Sequence, residues 1–240
     1  MKTLITLCTY NEKENLQELI PVLRQIVPEA DILVIDDNSP DGTSDFVRDL
    51  GKSDAHVLLL HRPGKLGLGT ATLAGFMYGI EHQYEFLVNL DADFSHNPRY
   101  IPELIASMAG CDVAIASRYM PGGGVVGWTR GRKLMSQMIN VWAKLLLRLD
   151  SMDNSGSFRC YRVSLLGRID WTRTIATGYA FQEEVLYRCR KAGGRMTEVP
   201  FMFEDRRHGV TKINLRECYS AVWVIFRLGI QNMLGASVLK

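Results

Sequence analysis

The sequence predicts an α/β fold in which a mostly parallel central sheet is flanked by helices. Five apolar runs of strand length alternate with helical patterns through the first half of the chain, a rhythm typical of parallel sheets covered on both faces. These runs span residues 3–8, 32–35, 57–60, 86–90 and 113–116. With 240 residues, of which 47% are hydrophobic and 22% charged, the chain is long enough to bury a full core.

The second half of the chain has a different pattern. Two amphipathic stretches, 134–149 and 215–239, follow a glycine-rich loop at 121–127 and a basic loop at 205–212. Their apolar residues include Trp142, Leu145, Leu146, Leu149, Trp223, Ile225, Phe226, Leu228 and Ile230. Apolar stripes at helical spacing usually belong to a core, and this is our interpretation of both stretches. The alternative is a position in the headgroup layer of a membrane, with the interspersed arginine and lysine side chains reaching lipid phosphates.

Composition excludes several classes of protein. A net charge of +2, without basic tails, argues against nucleic-acid binding. The five cysteines are odd in number and form no CxxC pair, so we expect reduced thiols and neither a disulfide framework nor a zinc site. The chain starts directly with a strand-like run and contains no apolar segment of about 20 residues, so we expect no signal peptide and no membrane span.

Polar clusters follow three of the predicted strands, at residues 9–12, 36–41 and 91–96. Because ligands bind at the carboxyl ends of the strands in open α/β sheets, we expect these clusters to form one site. In the last cluster, Asp91 and Asp93 place two carboxylates one residue apart where the backbone leaves the sheet. Such a pair can hold a hard divalent cation, Mg²⁺ or Mn²⁺, which keeps water ligands and completes its shell with substrate phosphates.

The other two clusters suggest a nucleotide. Asp37, at the end of the second predicted strand, can accept hydrogen bonds from a base edge or a ribose. In the first cluster, Tyr10 can stack on a base and Glu12 can accept from sugar hydroxyls. The Gly67 turn is not a dinucleotide-binding fingerprint, because it follows the third strand rather than the first and Thr72 stands where the third glycine would be.

Several basic residues lie in or beside glycine-rich or polar loops, where a guanidinium fork or an ammonium can bind phosphate. They are Arg118, Arg130, Arg132, Arg206 and Lys212. Arg206 and Lys212 flank a His-Gly segment after a strand-like run at 198–203, and phosphate binding is the better interpretation for both. For Arg132, a solvated surface charge is an equal alternative.

These residues lie in blocks that resemble the dolichyl-phosphate (polyprenyl-phosphate) mannose synthases, inverting members of glycosyltransferase family 2 with the GT-A fold. The blocks, in order over nearly the whole chain, are TYNEKENL, IDDNSPDGT, GKLGLGTA, LDADFSHNPRYIPEL, SRYMPGGGVVGW, GSFRCYR, GYAFQEE and DRRHGVTK. The resemblance implies a GT-A fold with amphipathic C-terminal helices and a single domain over residues 1–240. It assigns 1–117 to the nucleotide-sugar-binding half and 118–240 to the acceptor and membrane-facing half.

The resemblance also implies residue roles. A donor pocket is implied at Tyr10, Glu12, Ile35, Asp37, Asp91 and Ala92, with a backbone contact at Cys8, where relatives carry proline. Asp93 is implied as the principal metal ligand, with Asp91 beside it and Ser95 two positions beyond. Arg118, Arg206 and Lys212 match the basic residues that handle phosphate. Gln182 or Glu184 would orient the acceptor or the sugar.

The implied activity is transfer of mannose from GDP-mannose to a polyprenyl phosphate, with Mg²⁺ or Mn²⁺ as the cofactor. A phosphate monoester with a second pKa near ~6 is mostly dianionic at neutral pH, so it hardly needs a general base. Catalysis would then rest on positioning and electrostatics, with Asp93 and Arg118 as the candidate catalytic residues. Backside displacement would invert an α-linked donor to a β-linked product.

Three alternatives stay open. A polyprenyl-phosphate glucosyltransferase that uses UDP-glucose would keep every feature, because the residues alone do not separate mannose from glucose. A nucleotidyltransferase would carry a glycine-rich phosphate loop where this chain has residues 9–12. A non-catalytic nucleotide-sugar-binding scaffold would have no reason to keep Asp91, Asp93 and Arg118 together. We expect a cytoplasmic protein held at the cytoplasmic face of a membrane by interfacial helices, a separate anchoring subunit, or both.

Overall fold

The computed structural model describes residues 2–205, 215–235 and 237–239, and for 215–218 the backbone only. Its strands are β1 (Thr3–Thr9), β2 (Asp31–Asp36), β3 (Val57–His61), β4 (Phe86–Asp91), β5 (Val113–Ser117), β6 (Gly124–Val125), β7 (Arg159–Arg162), β8 (Met196–Pro200) and β9 (Met202–Phe203). Its helices are α1 (Lys13–Ile26), α2 (Thr43–Ser53), α3 (Leu68–Glu81), α4 (Ile101–Ser107), α5 (Arg130–Leu147), α6 (Val163–Arg168), α7 (Phe181–Lys191) and α8 (Leu215–Met233).

Seven strands form the central sheet, in the order β3-β2-β1-β4-β7-β5-β8. Strands β1 to β4 pair in parallel, and β5 pairs in parallel with β8. Of the strands in the described part of the chain that form this sheet, β7 alone runs the other way, antiparallel to both β4 and β5. The prediction of a mostly parallel sheet flanked by helices is confirmed, and all five predicted strands are present. The strand β7 was not predicted, because its sequence RCYR has no apolar run.

Side chains of the central strands alternate between two hydrophobic cores, one on each face of the sheet. In β1, Leu4 packs into one core while Ile5 and Leu7 pack into the other. The first core also holds α3 and α7, through residues such as Phe76 and Phe181. The central strands are therefore covered on both faces, and ligands can reach them at their ends.

The carboxyl ends of β1, β2 and β4 lie at the same edge, because these strands are parallel. Strand β5 points the same way, since it is antiparallel to β7 and β7 is antiparallel to β4. This topology brings the loops after residues 9, 36, 91 and 117 to one edge of the sheet. The candidate site described below lies at this edge.

The two amphipathic stretches form α5 and α8, and the prediction that their stripes are core is correct for only one side of each helix. Leu149, Ile225 and Leu228 are buried, at 2%, 0% and 0% exposure. Leu146 is partly buried against the core, and the other five predicted core residues are exposed: Trp142 by 41%, Leu145 by 69%, Trp223 by 54%, Phe226 by 53% and Ile230 by 38%. The helices contact each other and still display large apolar side chains outward. Within the described ranges, we find no helix that is both long enough and apolar enough to span a bilayer.

Candidate active site

Two adjoining pockets lie at the carboxyl edge of the sheet. The first, which we call the loop pocket, has a volume of about 320 Å³ and is formed by the loops after β1, β2 and β4. The second, the arginine pocket, has a volume of about 160 Å³ and is lined by Arg118 and Arg132 together with residues of α5 and α7. Leu68, Asp91 and Tyr179 line both pockets. A ligand that occupied both would pass Asp91.

The loop pocket collects most of the predicted donor-site residues. Its lining includes Cys8, Tyr10, Glu12, Asp37, Asp91, Ala92 and Asp93. Lys65, which the sequence did not single out, also lines it, and its Nζ lies 4.2 Å from the centre of the Tyr10 ring. Glu12 is oriented by Asn15, whose Nδ2 donates to Glu12 Oε2 at 2.7 Å. Aromatic, acidic and basic groups thus face one cavity.

Ile35 is the predicted donor-site residue that the structure places elsewhere. Its side chain is fully buried in the core beneath α3, where Gly75 leaves room for it. Ile35 is the fifth residue of β2, and its side chain points into the face covered by α3 rather than toward the strand end. A side-chain contact from Ile35 to a ligand in the loop pocket is therefore not supported.

Asp37 is held rigidly at the pocket wall. Its Oδ1 lies 2.8 Å from Arg62 Nη1, and its Oδ2 accepts a hydrogen bond from the backbone N–H of Leu66 at 3.2 Å. Burial raises the pKa of Asp37, and the charge of Arg62 opposes that shift. A carboxylate fixed in this way can accept hydrogen bonds from a base or a ribose without reorganising.

Cys8 presents a partly buried thiol to the loop pocket. Burial raises its pKa to about 12, so the thiol stays protonated at neutral pH. Its Sγ lies 3.9 Å from Thr72 Oγ1. Cys8 is therefore a small neutral wall residue and not a nucleophile.

Asp93 is 5% exposed and is oriented by the residue two positions on. Its Oδ1 accepts hydrogen bonds from the backbone N–H of Ser95 at 3.1 Å and from Ser95 Oγ at 2.6 Å. Between them, Phe94 adopts a left-handed backbone with φ of +64°, which is uncommon for a bulky residue. Because the Ser95 hydroxyl donates to Asp93, Ser95 acts here as a positioning residue for Asp93, and direct ligation of a metal by Ser95 stays a prediction.

Asp91 lies more openly, with 37% of its side chain exposed. Ser157 Oγ donates to its Oδ1 at 2.9 Å, and its backbone N–H donates to Nδ1 of His96 at 2.9 Å. An accepting Nδ1 places the ring proton of neutral His96 on Nε2, which is 3.9 Å from Asp91 Oδ2. The ring of His96 is buried and stacked on Phe158, with 5.1 Å between ring centroids. His96, which lies in the predicted 91–96 cluster but was given no role, and Ser157, which was not predicted, therefore set the position of Asp91.

The donor set at this loop fits a hard divalent cation. Asp91 and Asp93 offer oxygen ligands, and among the described residues no third histidine, cysteine or carboxylate joins them to complete an all-protein cage. Mg²⁺ and Mn²⁺ are commonly bound by one or two carboxylates, with water and ligand phosphates filling the remaining positions. An ion held here would sit beside both pockets.

Arg118 lines the arginine pocket and is held there by Asp153. Its Nε and Nη2 each lie 2.7 Å from a carboxylate oxygen of Asp153, and Nη2 also donates to Ser155 Oγ at 3.0 Å. The guanidinium carbon lies 5.4 Å from the centre of the Trp128 ring. Asp153 was missed by the sequence analysis, because no local motif links it to a residue 35 positions earlier.

At the start of α7, the neighbouring residues Glu183 and Glu184 point to different sides of the helix, which the sequence does not reveal. Gln182 and Glu183 both line the arginine pocket and are each 2% exposed. Glu184, which we expected to orient a substrate, is instead fully buried on the other side, where its Oε1 lies 2.7 Å from Arg188 Nη2. Its Oε2 accepts from the backbone N–H of Ala176 at 2.8 Å. The expectation for Glu184 is corrected: its hydrogen bonds are structural, and Glu183 takes the place at the pocket.

The remaining basic residues differ in position. Arg130 is exposed at the first turn of α5 and lines neither pocket. Arg132 lines the arginine pocket and lies over the Trp128 ring at 4.2 Å. Of the two interpretations left open for Arg132, the structure favours a pocket residue over a solvated charge. Arg206 and Lys212 lie outside the described residues.

Comparison with known proteins identifies the family. The sequence profile of glycosyl transferase family 2 matches residues 4–170. The chain belongs to glycosyl transferase family 2. An undecaprenyl-phosphate mannosyltransferase from Micrococcus luteus is 40% identical over 214 residues, which cover 89% of this chain and 88% of that protein. A polyprenol monophosphomannose synthase from Mycolicibacterium smegmatis is 37% identical over 235 residues, which cover 97% of this chain and 89% of that protein. The resemblance drawn from the sequence blocks is thus confirmed.

Solved structures of the same architecture confirm the GT-A fold of this family member. Glucosyl-3-phosphoglycerate synthase from Mycobacterium tuberculosis, in complex with Mn²⁺, uridine diphosphate and phosphoglyceric acid, aligns with a TM-score of 0.66. The alignment covers 96% of this chain and 78% of that one, at 16% sequence identity. At this level of identity the similarity concerns the fold, and the substrates of that enzyme do not transfer to this chain.

Proposed function

We propose that this family 2 member transfers mannose from GDP-mannose to a polyprenyl phosphate and inverts the anomeric centre to give a β-linked product. The observation that carries the proposal is that the loop pocket and the arginine pocket meet at Asp91. A transfer reaction needs a donor site and an acceptor site that open onto one reacting centre. The names of the two relatives at 40% and 37% identity support a mannosyl group and a polyprenyl phosphate as the substrates.

The loop pocket is the proposed donor site. Asp37 accepts hydrogen bonds from the nucleoside, Tyr10 offers a ring for stacking, and Lys65 brings a positive charge beside it. Asp93, with Asp91 beside it, would hold the divalent cation, Mg²⁺ or Mn²⁺. When bound, such a cation supplies neutralisation of the charge that develops on the leaving diphosphate.

The arginine pocket is the proposed site of the reacting ends. Arg118, fixed by Asp153, attracts the phosphate of the acceptor, and Arg132 adds a second positive charge. A phosphate oxygen forms the bond to the anomeric carbon as the bond from that carbon to the diphosphate breaks, and both electrons of the broken bond leave with the diphosphate. Because the acceptor is already an anion, no side chain has to remove a proton, and Arg118 contributes by orientation and charge.

The α5–α8 surface supports a lipid acceptor. It displays large apolar side chains, including Leu145, Trp223 and Phe226. Lys144 and Arg227 lie beside them in the sequence, and the Arg227 guanidinium is 5.3 Å from the centre of the Trp223 ring. Apolar residues mixed with basic ones suit the interface of an anionic membrane. We propose peripheral association with the cytoplasmic face of a membrane, direct or through an anchoring subunit, and a division of labour between residues 1–117 and 118–240 as donor and acceptor halves.

The test is transfer of radiolabelled mannose from GDP-mannose to a short polyprenyl phosphate in detergent, with and without Mg²⁺ or Mn²⁺. UDP-glucose is run in parallel. We expect metal-dependent label in the lipid fraction from GDP-mannose alone, lost in Asp93→Ala and retained in Asp49→Ala, whose side chain is 70% exposed on α2.

Label from UDP-glucose alone would keep the mechanism and replace the donor with that of a glucosyltransferase. Absence of label from either donor, in a folded protein that binds a nucleoside diphosphate, would overturn the proposal in favour of another acceptor or a non-catalytic scaffold.

A further inference from the structure

The floor of the arginine pocket contains buried polar atoms that lack partners. Gln182 and Glu183 are each 2% exposed and line this pocket. Among the described residues, Oε1 and Nε2 of Gln182 and Oε2 of Glu183 have no hydrogen-bond partner. Buried polar atoms are normally paired, and leaving them unpaired costs free energy. Three such atoms, on two adjacent residues that line one cavity, indicate that a ligand pairs with them.

The neighbouring residue Glu184 does not share this lack of partners. Glu184, one position on and also buried, accepts hydrogen bonds from Arg188 and from the backbone N–H groups of Ile175 and Ala176. The fold therefore pairs the buried Glu184 carboxylate fully. Among the described residues of α7, the Tyr187 hydroxyl also lacks a partner, but Tyr187 does not line the pocket, whereas Gln182 and Glu183 do.

Directly beside Gln182 and Glu183, a neutral hydroxyl-bearing group fits better than an anion. Arg159, fully buried on β7, is held by two carbonyl oxygens: Nη1 donates to Gln182 O at 2.7 Å and Nη2 donates to Asn154 O at 2.7 Å. Asp153, from the loop before β7, and Arg118, from the end of β5, contribute opposite charges nearby. Burial raises the pKa of Glu183 to about 7. A phosphate beside Glu183 would meet a carboxyl group, whereas a hydroxyl pairs with a carboxyl in either protonation state.

The position in the site points to the transferred sugar. The arginine pocket joins the loop pocket at Asp91, Leu68 and Tyr179, where the diphosphate end of a nucleotide in the loop pocket would emerge. We propose that Gln182 and Glu183 form the hexose subsite, bind ring hydroxyls of the transferred sugar and thereby select the donor. This inference rests on the proposed function, because it needs a sugar nucleotide in the loop pocket. It assigns a substrate-binding role to Glu183 and places Gln182 on the sugar rather than on the acceptor.

The test compares binding of GDP with binding of GDP-mannose by calorimetry in Mn²⁺, without any acceptor. We expect Gln182→Ala and Glu183→Ala to bind GDP as the wild type does and to lose at least about tenfold in affinity for GDP-mannose, because only the sugar meets the unpaired atoms. Glu183→Gln, which keeps hydrogen-bonding capacity, should lose less. Gln17→Ala and Glu103→Gln, both at exposed positions on α1 and α4, are the matched controls.

Deoxy analogues of GDP-mannose, each lacking one sugar hydroxyl, identify the hydroxyl that Glu183 contacts. In the wild type, removing the hydroxyl that Glu183 binds should weaken binding about tenfold, whereas in Glu183→Ala the same removal should cost nothing further. Equal losses for GDP and GDP-mannose, or deoxy penalties that are the same in variant and wild type, would overturn the inference and leave a structural role. Unchanged donor binding with a raised KM for polyprenyl phosphate would overturn it in favour of an acceptor role.

The two proposals fail separately. A wild type that binds GDP-mannose more tightly than GDP but labels no lipid contradicts the proposed transfer and leaves the hexose subsite standing. If UDP-glucose is the donor, the UDP and UDP-glucose pair replaces the GDP pair with the same expectations. If the wild type binds GDP-mannose no more tightly than GDP, and UDP-glucose no more tightly than UDP, the protein has no hexose subsite.

Discussion

Arg118 and Asp153 form a two-point ion pair that is buried from solvent. Arg118 Nε lies 2.7 Å from Asp153 Oδ2, and Nη2 lies 2.7 Å from Oδ1. The backbone N–H of Arg118 donates to the same Oδ2 at 2.9 Å. Burial alone would raise the pKa of Asp153, but the charge and hydrogen bonds of Arg118 outweigh it and hold that pKa below its usual value. The pair fixes the guanidinium where the pocket needs it.

Replacing Asp153 by asparagine should therefore harm both folding and transfer. Asp153→Asn leaves the buried Arg118 without its counter-charge, which typically costs about 3–5 kcal/mol of folding free energy. We also expect a higher KM for polyprenyl phosphate, because Arg118 is no longer held in one orientation. Urea denaturation and transfer kinetics measure the two effects.

The control for this variant is Asp45→Asn, which breaks the ion pair between Asp45 and Arg48. The Asp45 side chain is 78% exposed and the Arg48 side chain is 53% exposed. This surface change should alter stability by less than about 1 kcal/mol. Equal stability of the two variants would show that the Asp153 pair adds no more than a surface ion pair.

The fold was largely predictable because the first half of the chain carries strong periodic signals. Each predicted strand is a run of apolar residues, and all but the edge strand β3 are buried on both faces, as in β1 and β5. The strand β7 carries charged residues at both ends, and Arg159 is buried only because carbonyl oxygens at Gln182 and Asn154 receive it. No local pattern reports such tertiary hydrogen bonds.

The same distinction applies to the site. Residues that directly follow strands, such as Asp37 and Asp93, were predictable because the edge of a parallel sheet gathers them. Asp153 holds Arg118 from 35 positions later in the chain, and His96 holds Asp91 from a buried position against Phe158. Spacing reveals neither contact. The choice between Glu183 and Glu184 depends on the exact rotation of α7 about its axis, and adjacent glutamates look alike in sequence.

Asp93 should control nucleotide binding through the metal. Asp93→Asn keeps the size of the side chain and removes the anionic ligand, so we expect loss of the Mn²⁺-dependent part of GDP binding with little change in folding. Ser95→Ala, which removes the 2.6 Å hydrogen bond to Asp93, should weaken metal affinity by about tenfold, the lower end of the range for groups that orient a metal ligand. Calorimetric titration of Mn²⁺ and GDP measures both.

Asp49→Asn, at an exposed ion pair on α2, serves as the control and should bind as the wild type does. If Asp93→Asn retained full Mn²⁺-dependent affinity for GDP, the metal would have to lie elsewhere. If Ser95→Ala were as damaging as Asp93→Asn, Ser95 would be a ligand itself rather than a positioning residue.

The apolar surface of α5 and α8 should determine binding to lipid. Leu145→Gln and Trp223→Gln each remove an exposed apolar side chain, so folding should be unchanged while affinity for anionic vesicles falls by about tenfold, as expected for partial loss of a buried leucine or tryptophan contact. Co-sedimentation with phosphatidylglycerol vesicles measures this. Met77→Gln, on α3 and 44% exposed, is the control and should bind vesicles normally. If all three variants bound the vesicles equally well, the exposed surface of α5 and α8 would not be a lipid-binding surface and would belong to another partner.

Glu183 should make the stability of the ligand-free protein depend on pH. Burial raises its pKa from 4.5 to about 7, so the folded state keeps a proton that the unfolded state releases between these values. Its contribution is therefore fully present below about pH 4.5 and is lost as the pH rises through 7, with a total of about 3 kcal/mol for a shift of this size.

Glu183→Gln mimics the protonated form at every pH and isolates this effect from the other titrating groups. We expect wild type and variant to have similar urea stabilities at pH 5, and the variant to be more stable by up to about 3 kcal/mol at pH 8. Glu103→Gln, exposed on α4, should follow the wild-type curve. Stability curves for wild type and Glu183→Gln that run parallel from pH 5 to pH 8 would mean that Glu183 is already ionised in the folded protein at pH 5, and that its carboxylate is paired there.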